Sequence, residues 1–139
     1  MTNAPSQADV NTAYPKLFSP LKLGNLTLPN RVVMAPMSTN LGSLDGAVTA
    51  KQIAFYRARA TGGTGMIIVE FCSVQRRTGR SELRQLRMES EDDIAGHQRL
   101  VEAITSEGAI ACLQLQHGGP GVSRHLVEGG IAVGPCDVV

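Results

Sequence analysis

The chain has 139 residues, 42% apolar and 18% charged, a balance that suits one globular unit with a core and excludes a wholly disordered chain. Its 13 basic and 12 acidic residues leave a net charge of +1, so no charge imbalance draws it to nucleic acid or to an anionic membrane. Three cysteines, Cys72, Cys112 and Cys136, form no C-x-x-C pair, which argues against a disulfide scaffold or a local metal site and fits a reducing cytoplasm.

Residues 1–14 read as a disordered leader, and no apolar run approaches the roughly 20 residues that span a bilayer. The domain then runs from 15 to 139. Leu21, Leu23, Leu26 and Leu28 flank Gly24-Asn25, which predicts a short hairpin. Arg31 to Met34 follows as a compact apolar strand. Thr49 with Gln52 three residues on is a capping-box signature, and Ile53, Tyr56 and Ala60 recur at helical spacing until Gly62-Gly63, so a helix is expected over Ala50–Thr61. The unbroken run Met66-Ile67-Ile68-Val69 marks a strand buried on both faces that ends at Glu70. A polar loop leads to Ser90 and Asp93, a second cap, before a helix whose apolar face is read as Ile94, Val101 and Ile104. Ile110 to Leu115 is the third strand.

Strand, helix, strand, helix, strand, with long loops after each strand and short ones before, is a parallel βα array. In such arrays the long loops at strand C-termini hold the active site. A doubly wound sheet would place a Gly-rich phosphate loop after its first strand, where this chain has Ala35-Pro36-Met37-Ser38, so a barrel is favoured. Gly62 to Gly65 follow a helix and not a strand, the junction opposite to a phosphate loop. His117-Gly118-Gly119 has the form of a hydrolase oxyanion loop, but no G-x-S-x-G serine turn accompanies it.

His97 reads as a packing residue, His125 as surface, and Glu70 as an anchor for neighbouring loops. Arg76, Arg77, Arg80, Arg84 and Arg87 read as a solvated face, with a phosphate-bearing substrate such as a CoA ester as the alternative. Gln114 interrupts an apolar strand and is expected to be buried and therefore satisfied. A flat heteroaromatic ligand with alternating donors and acceptors would satisfy it. So would the backbone alone.

LFSPLKLGNLTLPNRVVMAPMSTN, FYRARATGGTGMIIVE and QLQHGG together resemble the N-terminal part of the old yellow enzyme family, in particular its NADH:flavin oxidoreductase and 2,4-dienoyl-CoA reductase branch. The resemblance implies the first three βα units of a (β/α)8 TIM barrel whose hairpin plugs the bottom and whose strand C-termini carry FMN. By that likeness Ala35, Pro36 and Met37 would contact the isoalloxazine, Ser38 would bond near its O4–N5 edge, and Gln114 would hold the pyrimidine edge. Phe71 stands where the family has a small residue close to the flavin. Pro120-Gly121 replaces the family's basic continuation after His117, whose expected role is loop structure.

The expected function is that of the N-terminal subunit or fragment of an FMN-dependent oxidoreductase, passing hydride from NAD(P)H through FMN to an activated C=C bond. The proton donor, and any iron–sulfur cluster and FAD, would then lie in a second polypeptide that completes the barrel in a hetero-oligomer. A non-catalytic truncated barrel acting as an assembly or interaction module is the alternative reading.

Overall fold

A computed structural model describes residues 12–136. Most of the leader expected over residues 1–14 therefore lies outside the described residues, and the first described turn closes when the Leu17 and Phe18 amides donate to the Tyr14 carbonyl. Strands β1 (Leu21–Leu23) and β2 (Leu26–Leu28) form the expected antiparallel hairpin. Its turn needs Gly24 at φ 58, a left-handed conformation that costs glycine nothing.

The main sheet is parallel. β3 (Val33–Met34) and β6 (Ile110–Gln116) lie on either side of β4 (Met66–Ser73), and the two-residue strand β5 (Leu86–Arg87) pairs with the upper end of β4. Helix α1 (Ala50–Thr61) joins β3 to β4, and α3 (Ile94–Thr105) precedes β6. Among the described residues β6 pairs with β4 alone, so its other edge is free.

Three boundaries differ from the sequence expectation. β3 is shorter than Arg31–Met34 because the Asn30 side chain takes the Val32 amide at 2.9 Å and donates to the Gly63 carbonyl at 2.8 Å, spending the strand's first residues on a turn. β4 does not stop at Glu70: a register shift between Val69 and Cys72 absorbs Glu70 and Phe71, and pairing with β6 resumes through Ser73. Polar residues after a bulge hide such a continuation from any reading of apolar runs. The polar loop that follows also holds a one-turn helix, α2 (Arg76–Gly79), besides β5.

The core fills one side of the sheet. Tyr56 and Ala60 of α1 and Leu100 and Ile104 of α3 pack on Ile67, Val69 and Cys72, with Met34, Ala111 and Leu113 at the margin. The buried face of α3 is His97, Leu100, Ala103 and Ile104, rotated from the expected stripe. Ile94 and Val101 are 42% and 44% exposed and, with Met88 and Gln98, line an open groove of about 540 Å³. Strand alternation puts Val33, Met66, Ile68, Ile110, Cys112 and Gln114 on the opposite side of the sheet, where Val33 is 46% exposed. The two sides of α3 respond differently to truncation. Ile104→Ala should lower unfolding free energy by about 2–5 kcal/mol, whereas Val101→Ala should cost less than about 1 kcal/mol, both read from urea titrations.

Candidate functional site

The segment after β3, helix α1 and the bulge in β4 meet around one buried carboxylate. Glu70 is 1% exposed. Its Oε2 accepts the Thr39 amide at 2.7 Å and its Oε1 the Thr39 hydroxyl at 2.6 Å. Gln52 Nε2 and the Tyr56 hydroxyl donate to the same Oε1, and the Glu70 amide donates to the Tyr56 oxygen at 2.9 Å. The side chain thus faces donors only, as a carboxylate requires, and it fastens the segment after β3 to α1 and β4. The anchoring role expected of Glu70 holds. The Thr49 cap also forms, with its hydroxyl accepting the Gln52 amide at 3.2 Å, but the Gln52 side chain goes to Glu70 instead of closing the box.

Burial first, then the neighbouring Glu70 charge, pushes the Tyr56 phenol well above its ordinary value. Burial likewise pushes the Cys72 thiol up to about 12, helped by Asp93, Glu70 and Glu89. Cys72 lies 3.8 Å from His97 Nε2, yet a thiol held protonated is no nucleophile. His97 also contacts the Arg87 carbonyl at 2.9 Å, the packing role read from its position.

Above this anchor the tip of β3 is open. Ala35 and Ser38 are exposed, Pro36 is half-buried and Met37 is 58% exposed. The Met37 and Ser38 amides make no hydrogen bond among the described residues. Gln114 does not meet the expectation of burial: it is exposed, and its side-chain amide has no partner among the described residues. Being on the unfilled face of β6 explains this, since only the opposite face receives helices. The Ser38 hydroxyl is not free, because it donates to Glu82. Phe71 is half-buried inside β4, at the bulge between Val69 and Cys72.

Other residues of the site carried no signal in the sequence reading. Gln85, 1% exposed, accepts the Ser81 amide at 2.7 Å and donates to Gln116 Oε1 at 2.8 Å. Gln116 in turn donates to the Ser81 hydroxyl at 3.2 Å. Gln114 and Gln116 are equivalent in composition, and only the bulge and the loop above β4 decide which is satisfied internally. Most of the arginines are not a solvated face. Arg76 and Arg80 both donate to the Leu44 carbonyl, and Arg87 reaches Asp93 at 2.6 Å, so the second loop is clasped to the first. Arg77 is exposed and pairs with Glu128. His117 accepts the Gly119 amide on Nδ1 at 3.1 Å, approaches Thr78 at 3.1 Å, and packs so closely on Gly79 that no Cβ would fit, which gives it a loop-building role. His125 is exposed. Among the described residues no group of His, Cys, Asp and Glu is arranged to hold a metal ion, and no helix is long and apolar enough to cross a membrane.

The donor set fits FMN. Two free backbone amides at one strand tip and an unengaged carboxamide two strands away offer donors and an acceptor to the edges of a flat heterocycle.

Two predictions test the anchor and the buried thiol. Glu70→Gln turns an amide donor toward groups that themselves donate, so it should cost about 3 kcal/mol and speed hydrogen exchange at the Thr39 amide. Folded Cys72 keeps its proton up to about 12, whereas the unfolded thiol releases it near 9.0. Unfolding therefore liberates a proton as pH rises through that window, and wild-type stability should fall there by about 1.4 kcal/mol per pH unit more steeply than that of Cys72→Ala.

Comparison with known proteins places the same segments in one family. A family model described as NADH:flavin oxidoreductase / NADH oxidase matches residues 16–139. The chain is 41% identical over 127 residues to an NADH oxidase of Thermoanaerobacter brockii, covering 91% of this chain and 20% of that protein. Among solved structures, morphinone reductase superposes with a TM-score of 0.75 at 32% identity, over 84% of this chain and 31% of that one. A 2-naphthoyl-CoA reductase superposes with a TM-score of 0.77 at 29% identity, over 81% of this chain and 17% of that one. The chain therefore spans less than a third of the length of each of these proteins, and the matched solved structures are TIM barrels of which it covers a part. This chain belongs to the NADH:flavin oxidoreductase / NADH oxidase family.

Proposed function

We propose that the chain forms the flavin-facing N-terminal part of an NAD(P)H-dependent FMN oxidoreductase whose barrel is completed by further polypeptide. The observation that carries this reading is the unengaged hydrogen-bonding set at the strand ends: the Met37 and Ser38 amides and the Gln114 carboxamide. Ala35, Pro36 and Met37 supply a ledge for the ring, Gln114 holds its pyrimidine edge, and Phe71 limits the space beside it. FMN supplies hydride transfer at its N5, from NAD(P)H to the β-carbon of a C=C bond conjugated to a carbonyl or thioester. The likeness to 2-naphthoyl-CoA reductase supports an acyl-CoA substrate. Groups of this chain orient the ring and exclude water beneath it, and the proton that completes reduction comes from the completing part, where any iron–sulfur cluster or FAD also resides.

Two features support the completing polypeptide. Among the described residues β6 has an unpaired edge, which without a partner presents a row of free N–H and C=O groups. The open groove beside α3 is lined by Met88, Ile94 and Val101 together with His97, Gln98, Glu102 and Thr105, an exposed, partly apolar surface for further polypeptide to cover. The completing strands extend β6, and the rest of the protein covers the exposed face of Val33, Cys112 and Gln114.

The test is FMN binding by the full chain together with whatever polypeptide accompanies it. Gln114→Ala should weaken FMN binding about tenfold, the scale of a lost hydrogen-bond pair, while leaving the far-ultraviolet circular dichroism unchanged. Equal affinities for variant and wild type would contradict the assignment of Gln114.

A further inference from the structure

The contact between Ser38 and Glu82 has a chemical consequence for any ring bound over the tip of β3. A serine hydroxyl has one proton and two lone pairs. Ser38 donates that hydrogen in a hydrogen bond to Glu82 Oε2. What remains for a ligand is acceptor capacity only.

The backbone of Glu82 is held on both sides. Its amide approaches Gln85 Oε1 at 3.4 Å, and its carbonyl accepts Arg80 Nε at 2.9 Å. The adjoining Ser81 amide is held by the same buried Gln85 at 2.7 Å. On the opposite loop, Asn40 takes the left-handed conformation at φ 52 and accepts the Arg84 amide at 3.0 Å. Gly42 lies so close to the Arg84 carbonyl that a Cβ would collide with it, and its own carbonyl accepts Arg84 NH1 at 3.3 Å. The two loops are thus fixed against each other just beyond the Ser38–Glu82 pair, and the carboxylate meets the hydroxyl in a framework set by other bonds.

We propose that Glu82 is a positioning residue that accepts the Ser38 hydrogen bond and fixes Ser38 Oγ as a hydrogen-bond acceptor toward the ligand edge above β3. The proposal rests on the FMN reading. Oxidised FMN presents acceptors along its O4–N5 edge, so an acceptor-only Ser38 disfavours that form. A ring edge bearing an N–H is favoured instead. Removing the Glu82 carboxylate returns the Ser38 proton to the ligand.

The experiment is a titration with oxidised FMN, read by quenching of its fluorescence, on the full chain with any polypeptide that co-purifies. Glu82→Ala should tighten oxidised FMN about tenfold, the scale of one recovered hydrogen bond, and the gain should vanish in the Ser38→Ala/Glu82→Ala double variant. Glu82→Gln keeps a carbonyl acceptor for Ser38 and should stay within about threefold of wild type, a loss of less than one hydrogen bond. Weakened or unchanged FMN affinity in Glu82→Ala, with the Gln114→Ala loss still present, overturns the positioning role and leaves the flavin reading standing. Absence of FMN binding by wild type and every variant overturns both.

Discussion

A single buried carboxylate organises the functional end of this chain. Glu70 collects the Thr39 amide and hydroxyl, the Gln52 carboxamide and the Tyr56 hydroxyl within the parallel sheet's upper layer. Burying a charge is costly unless every lone pair finds a donor. The donors come from two separate places in the sequence, the segment after β3 and helix α1, so satisfying Glu70 fixes both against the β4 bulge. That arrangement holds the segment that follows residues 35–38, where the Met37 and Ser38 amides have no partner among the described residues.

Around that anchor the polar groups fall into two sets. Some side chains bond one another and hold the loops: Gln85 with Gln116 and Ser81, the arginines with the Leu44 carbonyl, His117 with Gly119. Others, Gln114 on the unfilled face of the sheet and the Met37 amide at the tip of β3, have no partner among the described residues. These unengaged groups lie at the strand C-termini, the side a barrel keeps for chemistry.

Much of this was legible in the sequence where local rules decide. The hairpin at Gly24-Asn25, the helix from Ala50 to Thr61 with its glycine stop, and the start of the buried strand at Met66 follow from turn chemistry, capping and apolar runs, and each appears where expected. What was illegible depends on long-range partners. The bulge that carries β4 to Ser73 exists because β6 resumes pairing beyond it. The phase of α3 is set by what covers it: His97 and Leu100 face the sheet, while Ile94 and Val101, as apolar as any core residue, face the groove. Gln52 read as a cap because spacing cannot reveal that its amide has a carboxylate to meet 18 residues along the chain. Glu82 and Gln85 sat in a polar loop with no pattern at all.

The central claim is that these three βα units are the flavin-facing part of a larger barrel. The free edge of β6 and the open face beneath Gln114 are its physical basis, and family membership supplies its chemistry. Native mass spectrometry of the protein isolated from its own source tests it most directly. The account predicts a particle in which this sequence accompanies further polypeptide, joined or associated, with bound FMN. A flavin-free species at the 14.7 kDa of this chain alone would contradict it.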